Sequence, residues 1–165
     1  MEKRIIAKNV CINCLNHGLE GLKDSLILEC VIKIKKELKM NTELKYKDIT
    51  EKILGASFEV HTFLGNGFQE VIYQRALTWE MKQKGLEFAR EIEQDIFYKD
   101  LPEPIGTRRA DFVVEGKVLV ELKAIIQLED VHLAQALNYL KAYKLDVGLL
   151  INFGGKSLTF KRLVL

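Results

Sequence analysis

Three cysteines occur in the chain, and all of them (Cys11, Cys14 and Cys30) fall within the first 30 residues. The long remainder therefore cannot be a disulfide scaffold. Cys11-x-x-Cys14 has half of a zinc-ribbon spacing, but no second pair follows, so a structural zinc is not expected. A cysteine-free body suits a reducing compartment, and a cytoplasmic location is the expectation. No apolar run reaches the roughly 18 residues that a membrane-spanning helix needs. The N-terminus also lacks a continuous apolar segment followed by a small-residue cleavage site, so no signal peptide is expected. Proline appears only at Pro102 and Pro104, which marks one loop. Net charge is scarce too: 25 basic and 23 acidic residues leave +2. Residues 1–39 carry 8 basic and 5 acidic side chains, and the rest carry 17 and 18. The body is therefore not a basic nucleic-acid binder by composition, and any such binding must come from a local patch.

What is present is an ordinary globular balance, 48% apolar and 29% charged, in 165 residues, one domain's worth of chain. Residues 1–40 read as an N-terminal extension and residues 41–165 as the domain. Within the extension, Ser25 to Lys39 has the pattern of an amphipathic helix ending in lysines, which suits a membrane surface or a partner helix. The alternative is a loosely attached segment, with Met40 as a second candidate start. His17 lies here and carries no assigned role.

The pattern strengthens from Asp48. Asp48-Ile-Thr-Glu51 resembles a capping box and predicts a helix through Leu64, broken by Gly65-Asn66-Gly67. A second helix is predicted from Phe68 to Lys84, with Gly85 just past its end. Strands are predicted over 87–98, 108–114 and 117–124, then a helix over Glu129–Lys144. Strands over Val147–Phe153 and Ser157–Val164 close the chain. The order ααβββαββ, with strand–helix–strand near the end, predicts an α/β domain: a central mixed sheet with helices on its faces and a right-handed crossover.

The most informative stretch is Asp111-Phe-Val-Val-Glu-Gly-Lys-Val-Leu-Val-Glu121-Leu-Lys123. Side chains alternate along a strand, so Glu121 and Lys123 share a face. With a three-residue turn at Glu115-Gly116-Lys117, Asp111 falls opposite Glu121 on that same face. Two carboxylates and an ammonium then converge among apolar residues, where charges are costly unless paired or bound to metal. Two carboxylates on one sheet face suit Mg²⁺ or Mn²⁺. Such an ion polarises a phosphoryl oxygen and acidifies a water, which Lys123 would orient. The competing reading is an exposed hairpin with a cross-strand ion pair; the flanking Phe-Val-Val and Val-Leu-Val runs argue against it.

Weaker constellations surround this one. His132, Gln135 and Tyr139 fall along one helical stripe, which suits phosphate binding or an ordinary polar stripe. Glu70 and Tyr73 in Gly67-Phe-Gln-Glu70-Val-Ile-Tyr73 lie one turn apart. There Glu70 is either a further carboxylate for the metal site or a charge favoured at a helix start. Arg108 and Arg109 either meet a phosphate, with Arg109 the candidate, or form a surface pair. His61 reads as a packed or helix-end histidine rather than a ligand.

Taken together these motifs resemble the GxxExxY family within the PD-(D/E)XK nuclease-like superfamily. The likeness runs from Leu44 to Leu165 through Val60-His61, Leu64-Gly65-x-Gly67, Gly67-x-x-Glu70-x-x-Tyr73, Arg109-Ala110-Asp111, Glu121-Leu-Lys123-Ala124, Gln135-x-x-x-Tyr139 and Leu150-Ile-Asn-Phe153-Gly154. Residues 1–39 have no counterpart. The resemblance implies a restriction-endonuclease-like core, with Asp111 as the metal-binding aspartate and Glu121-x-Lys123 as the (D/E)xK element. Gln135 and Tyr139 resemble the QxxxY motif of the RecB-type branch, with Glu70 at its early acidic position and the Leu122 carbonyl as a further metal ligand. Ala110 stands where the superfamily pattern has proline, a position that varies. The implied activity is Mg²⁺- or Mn²⁺-dependent hydrolysis of phosphodiesters, in DNA rather than RNA, with no membrane partner and a homodimer as the assembly to test. The rival readings are a non-catalytic module of the same fold that binds nucleic acid or protein, and an enzyme acting on a small phosphorylated substrate.

Overall fold

In a computed structural model of the chain, the described residues are Ile32, Lys33 and 45–165. The chain divides into two compact units, Met1–Thr42 and Glu43–Leu165. Of the first, Ile32 and Lys33 are described and are helical. The rest of the predicted Ser25–Lys39 helix, the three cysteines, His17 and Met40 lie outside the described residues.

The second unit runs α1 (Lys47–Leu64), α2 (Glu70–Gln83), β1 (Phe88–Ile96), β2 (Gly106–Val114), β3 (Val118–Lys123), α3 (Asp130–Ala142), β4 (Val147–Asn152) and β5 (Thr159–Val164). This is the predicted order. The five strands form one mixed sheet whose spatial order follows the chain. Only β3 and β4, joined through α3, are parallel; the other neighbours are antiparallel. The sheet's alternation builds two cores. One face sets Phe112, Val114, Val118, Val120, Leu122, Leu149 and Ile151 against Ile53, Ala56 and Val60 of α1 and Tyr73, Leu77 and Met81 of α2. The spacings of those helical residues are the three- and four-residue steps that put side chains on one face. The other face packs Val113, Leu119, Leu150 and Leu163 against Ala136, Tyr139 and Leu140 of α3. With both faces covered, β3 and β4 are apolar almost throughout, as buried parallel strands are.

Two helix starts differ from expectation. The Asp48–Glu51 capping box does not form: α1 begins at Lys47 behind Tyr46, which is left-handed (φ 59°), and no side chain caps the helix. The reason is tertiary. Thr50, inside the proposed box, is buried and accepts a 3.0 Å hydrogen bond from Arg162 of β5, whose guanidinium also bonds the Lys45 carbonyl. For its part, α2 begins at Glu70 rather than Phe68. The Tyr73 hydroxyl accepts the Phe68 N–H (3.2 Å) and donates to the Gly65 carbonyl (2.9 Å), which keeps Phe68 in the loop. A capping box does form at α3, where Glu129 and His132 bond each other's backbone.

The β2–β3 hairpin has the predicted three-residue turn. Val114 pairs with Val118, and the Lys117 N–H donates to the Val114 carbonyl at 2.9 Å. Glu115 and Gly116 both take positive φ (53° and 61°), a conformation that glycine adopts without steric cost.

Candidate active site

The paired register of β2 with β3 ends at Phe112–Val120, one step short of Asp111 and Glu121. There the Asp111 side chain replaces the ladder: its Oδ2 accepts the Leu122 N–H at 2.7 Å. On its other side the β1–β2 ladder also skips a pair. Arg90 faces Phe112 and Ile92 faces Ala110, while Glu91 between them has φ 50°. Phe88 packs in the α1–α2 core, whereas Ile92 and Ala110 pack in the α3 core. The β1–β2 ribbon thus turns about its own axis at Glu91 and Asp111, where β2 leaves β3. Tyr143, just past α3, holds the turn. Its hydroxyl accepts the Ala110 N–H at 3.0 Å and donates to the Ile92 carbonyl.

Charge gathers where the ladder ends. Glu121 is 5% exposed. Its Oε1 accepts a 3.1 Å hydrogen bond from Lys123 Nζ, and its Oε2 is buried with no hydrogen-bond partner. Burial, with the Asp111 carboxylate adding to it, pushes the Glu121 carboxyl up to about 7. Asp111 is also raised by burial, against the pull of the Leu122 N–H and Lys123. Glu70 is raised by burial, opposed by Lys123. Burial alone would lower Lys123, but its attraction to Glu121, Glu70 and Asp111 outweighs that and raises it. Lys123 lowers all three carboxyls electrostatically, and it is in direct contact with Glu121.

Other predicted residues occupy different places. Gln135 and Tyr139 of α3 are joined, Gln135 Nε2 donating to the Tyr139 hydroxyl at 2.8 Å, and Tyr139 is 6% exposed. His132 serves the helix cap, its Nδ1 accepting the Glu129 N–H at 3.0 Å. Tyr73, one turn from Glu70, is fully buried and stacks on Phe153 with centroids 4.7 Å apart. Arg109 is exposed, 3.9 Å from Glu91 across the ribbon. His61 reaches the Gly155 carbonyl at 3.1 Å, as a helix-end residue.

Three residues to which the sequence assigned no role belong to the site's frame: Gln74, which no motif included, and Asn152 and Gly154, which lie in the Leu150–Gly154 motif. Gln74 of α2 is buried; it donates to Asp111 Oδ1 at 3.2 Å and accepts from Arg90 at 2.8 Å. Asn152, opposite Lys123 in the β3–β4 register, grips the backbone of Ile125 from both sides, accepting its N–H at 3.0 Å and donating to its carbonyl at 2.8 Å. The third is Gly154. A Cβ there would lie 2.3 Å from the Ile125 nitrogen, so only glycine allows this approach. The four-residue step from Glu70 to Gln74 was visible in the sequence. Nothing there showed that Asn152 would face Lys123.

Among the described residues no three His, Cys, Asp or Glu side chains are grouped as a metal cage. What is offered is the partnerless Glu121 oxygen beside Asp111, whose ionised oxygens keep acceptor capacity beyond one hydrogen bond each. That donor set fits Mg²⁺ or Mn²⁺, which take one or two protein carboxylates and fill the remaining positions with water and substrate oxygens.

An α/β domain with an acid–acid–lysine group where two strands part defines the class: a nuclease-like fold around a carboxylate site. The chain belongs to the PD-(D/E)XK nuclease superfamily, whose family model matches residues 47–163. No curated protein and no solved structure matches the chain.

Proposed function

We propose that the chain is a Mg²⁺- or Mn²⁺-dependent nuclease that hydrolyses phosphodiester bonds in DNA, of the GxxExxY family and the RecB-type branch. The observation that carries this reading is the buried, partnerless Oε2 of Glu121 beside Asp111, with Lys123 on the other oxygen. Asp111 and Glu121 would hold the cation, with the Leu122 carbonyl as a further oxygen and Glu70 completing the acidic group. When bound, the cation supplies Lewis-acid polarisation of a phosphoryl oxygen and acidifies a water. Lys123 orients the attacking water and offsets the charge that develops on the phosphoryl group. Its side chain is 14% exposed, and its ammonium is held by Glu121 at 3.1 Å. Gln135 and Tyr139 bind the substrate phosphate, and Arg109 meets the phosphate of the neighbouring nucleotide.

The test is incubation of the protein with labelled single- and double-stranded DNA and RNA in Mg²⁺, Mn²⁺ or EDTA. Cleavage should require the cation, and Lys123→Ala should lower the rate by about 10² to 10⁴-fold. No metal-dependent cleavage by the wild type, or an undiminished rate in Lys123→Ala, would defeat the proposal. One observation favours a second reading, a non-catalytic nucleic-acid- or protein-binding module. Both Asp111 oxygens already accept one hydrogen bond each, so the aspartate has protein partners without a cation. Calorimetry with Mn²⁺ separates the two, since the module predicts no heat of binding that depends on Asp111 and Glu121.

A further inference from the structure

We infer that Arg90 and Gln74 are positioning residues for Asp111, acting as a two-step relay that sets the orientation of its carboxylate; the inference rests on Asp111 being a cation ligand. The amide of Gln74 has one accepting end and one donating end, and its environment dictates which faces which way. Arg90 has only donors, so Gln74 Oε1 must face it, which leaves Nε2 to face Asp111. Reversing the amide would set donor against donor at Arg90 and acceptor against acceptor at Asp111. Gln74 is 5% exposed, so water does not substitute for either partner.

Arg90 is itself held. It is the cross-strand partner of Phe112, the residue after Asp111, and its guanidinium lies 5.8 Å from that ring's centroid. It also sits immediately before Glu91, where the ribbon turns. The relay therefore starts from the strand pair whose twist opens the site and ends on the carboxylate inside it. Asp111 is tied at both oxygens, to Gln74 on one and to the Leu122 N–H on the other, so its plane is fixed. Donors that orient a ligating group in this way commonly alter metal affinity by 10- to 100-fold when removed. Because α2 carries Glu70 and Gln74 one turn apart, the same helix face delivers an acid to the site and the amide that orients another.

The experiment is calorimetric titration of Mn²⁺ alone into the full chain and into Gln74→Met, Arg90→Met, the double variant and Arg90→Lys, with thermal melts of each without metal. Gln74→Met, which keeps the volume but not the amide, should weaken Mn²⁺ by about tenfold or more. Arg90→Met should weaken it in the same direction. The double variant should be no weaker than Gln74→Met, because two members of one relay are not additive. Arg90→Lys, which keeps a donor for Oε1, should recover part of the loss. A purely structural role would lower the melting temperatures without this pattern in Mn²⁺ affinity. If Gln74→Met does not fold, Gln74→Asn, one methylene short of Asp111, carries the same expectation. Affinity within twofold of the wild type in the folded variants, or additive losses in the double, overturns the relay alone. No Mn²⁺ binding by the wild type overturns the cation reading and the relay with it.

Discussion

Glu121 is a buried carboxyl with one partnerless oxygen, and its cost to the fold can be measured. Its carboxyl is raised from 4.5 to about 7, so the folded state holds this proton more tightly than the unfolded chain does. The stabilisation from that proton is complete below pH 4.5 and is lost as pH rises through 7. Above pH 7 the metal-free fold carries a buried carboxylate at a cost of up to about 3 kcal/mol. Glu121→Gln is neutral throughout. Without metal it should melt above the wild type at pH 8, with the gap closing toward pH 5, and it should no longer be stabilised by Mn²⁺. Melting curves over that pH range check this, and a variant less stable than the wild type at pH 8 would count against it. Gln74 shows a second lesson at this scale: a neutral amide between two charges is invisible to a search for ionisable residues.

Among the elements, the β1–β2 ribbon does most to shape the site. A flat hairpin would leave Asp111 paired in the ladder. Here the turn at Glu91 parts β2 from β3, and the Asp111 carboxylate takes the backbone donor that the ladder leaves free. Tyr143 holds this geometry through Ala110 and Ile92, so Tyr143→Phe should orphan the buried Ala110 N–H and the Ile92 carbonyl. The expected loss is about 1 to 3 kcal/mol. Amide hydrogen exchange should quicken at Ala110 and Leu122 before it quickens in β4. Unchanged exchange at those two amides would mean that the twist is held elsewhere. Just beyond this point, Asn152 and Gly154 fix the chain as it leaves Lys123, and Phe153 donates to the Lys123 carbonyl at 2.8 Å.

For the whole molecule, charge constrains how nucleic acid is held. The net charge is +2, and residues 40–165 carry 17 basic against 18 acidic side chains. Few phosphates can then be neutralised at once, so binding of a single strand should weaken only gently with salt. A slope of about −2 or shallower in log affinity against log salt is expected, equivalent to about three phosphates. Fluorescence anisotropy with a labelled oligonucleotide measures it. A slope steeper than about −5 would place the binding on a concentrated basic surface instead, residues 1–39 being the basic part of the chain. Among the described residues no helix is long and apolar enough to cross a membrane.

Much of the molecule was readable from residue order alone. The eight elements, the three-residue turn and the approach of Asp111, Glu121 and Lys123 follow from alternation, helical spacing and turn chemistry, which act over a few neighbours. The ends of the elements were less legible. Asp48–Glu51 has the residue types of a cap, yet Arg162, over a hundred positions away, set the start of α1 instead. The contacts that build the site's frame were not readable. Gln74 stands 37 residues from Asp111, and Asn152 stands 27 from Ile125. Sequence determined which charges enter the sheet, because side-chain alternation is local. Tertiary structure alone decided how they are aimed, because the twist, the relay and the grip on the chain after Lys123 exist only once distant segments meet.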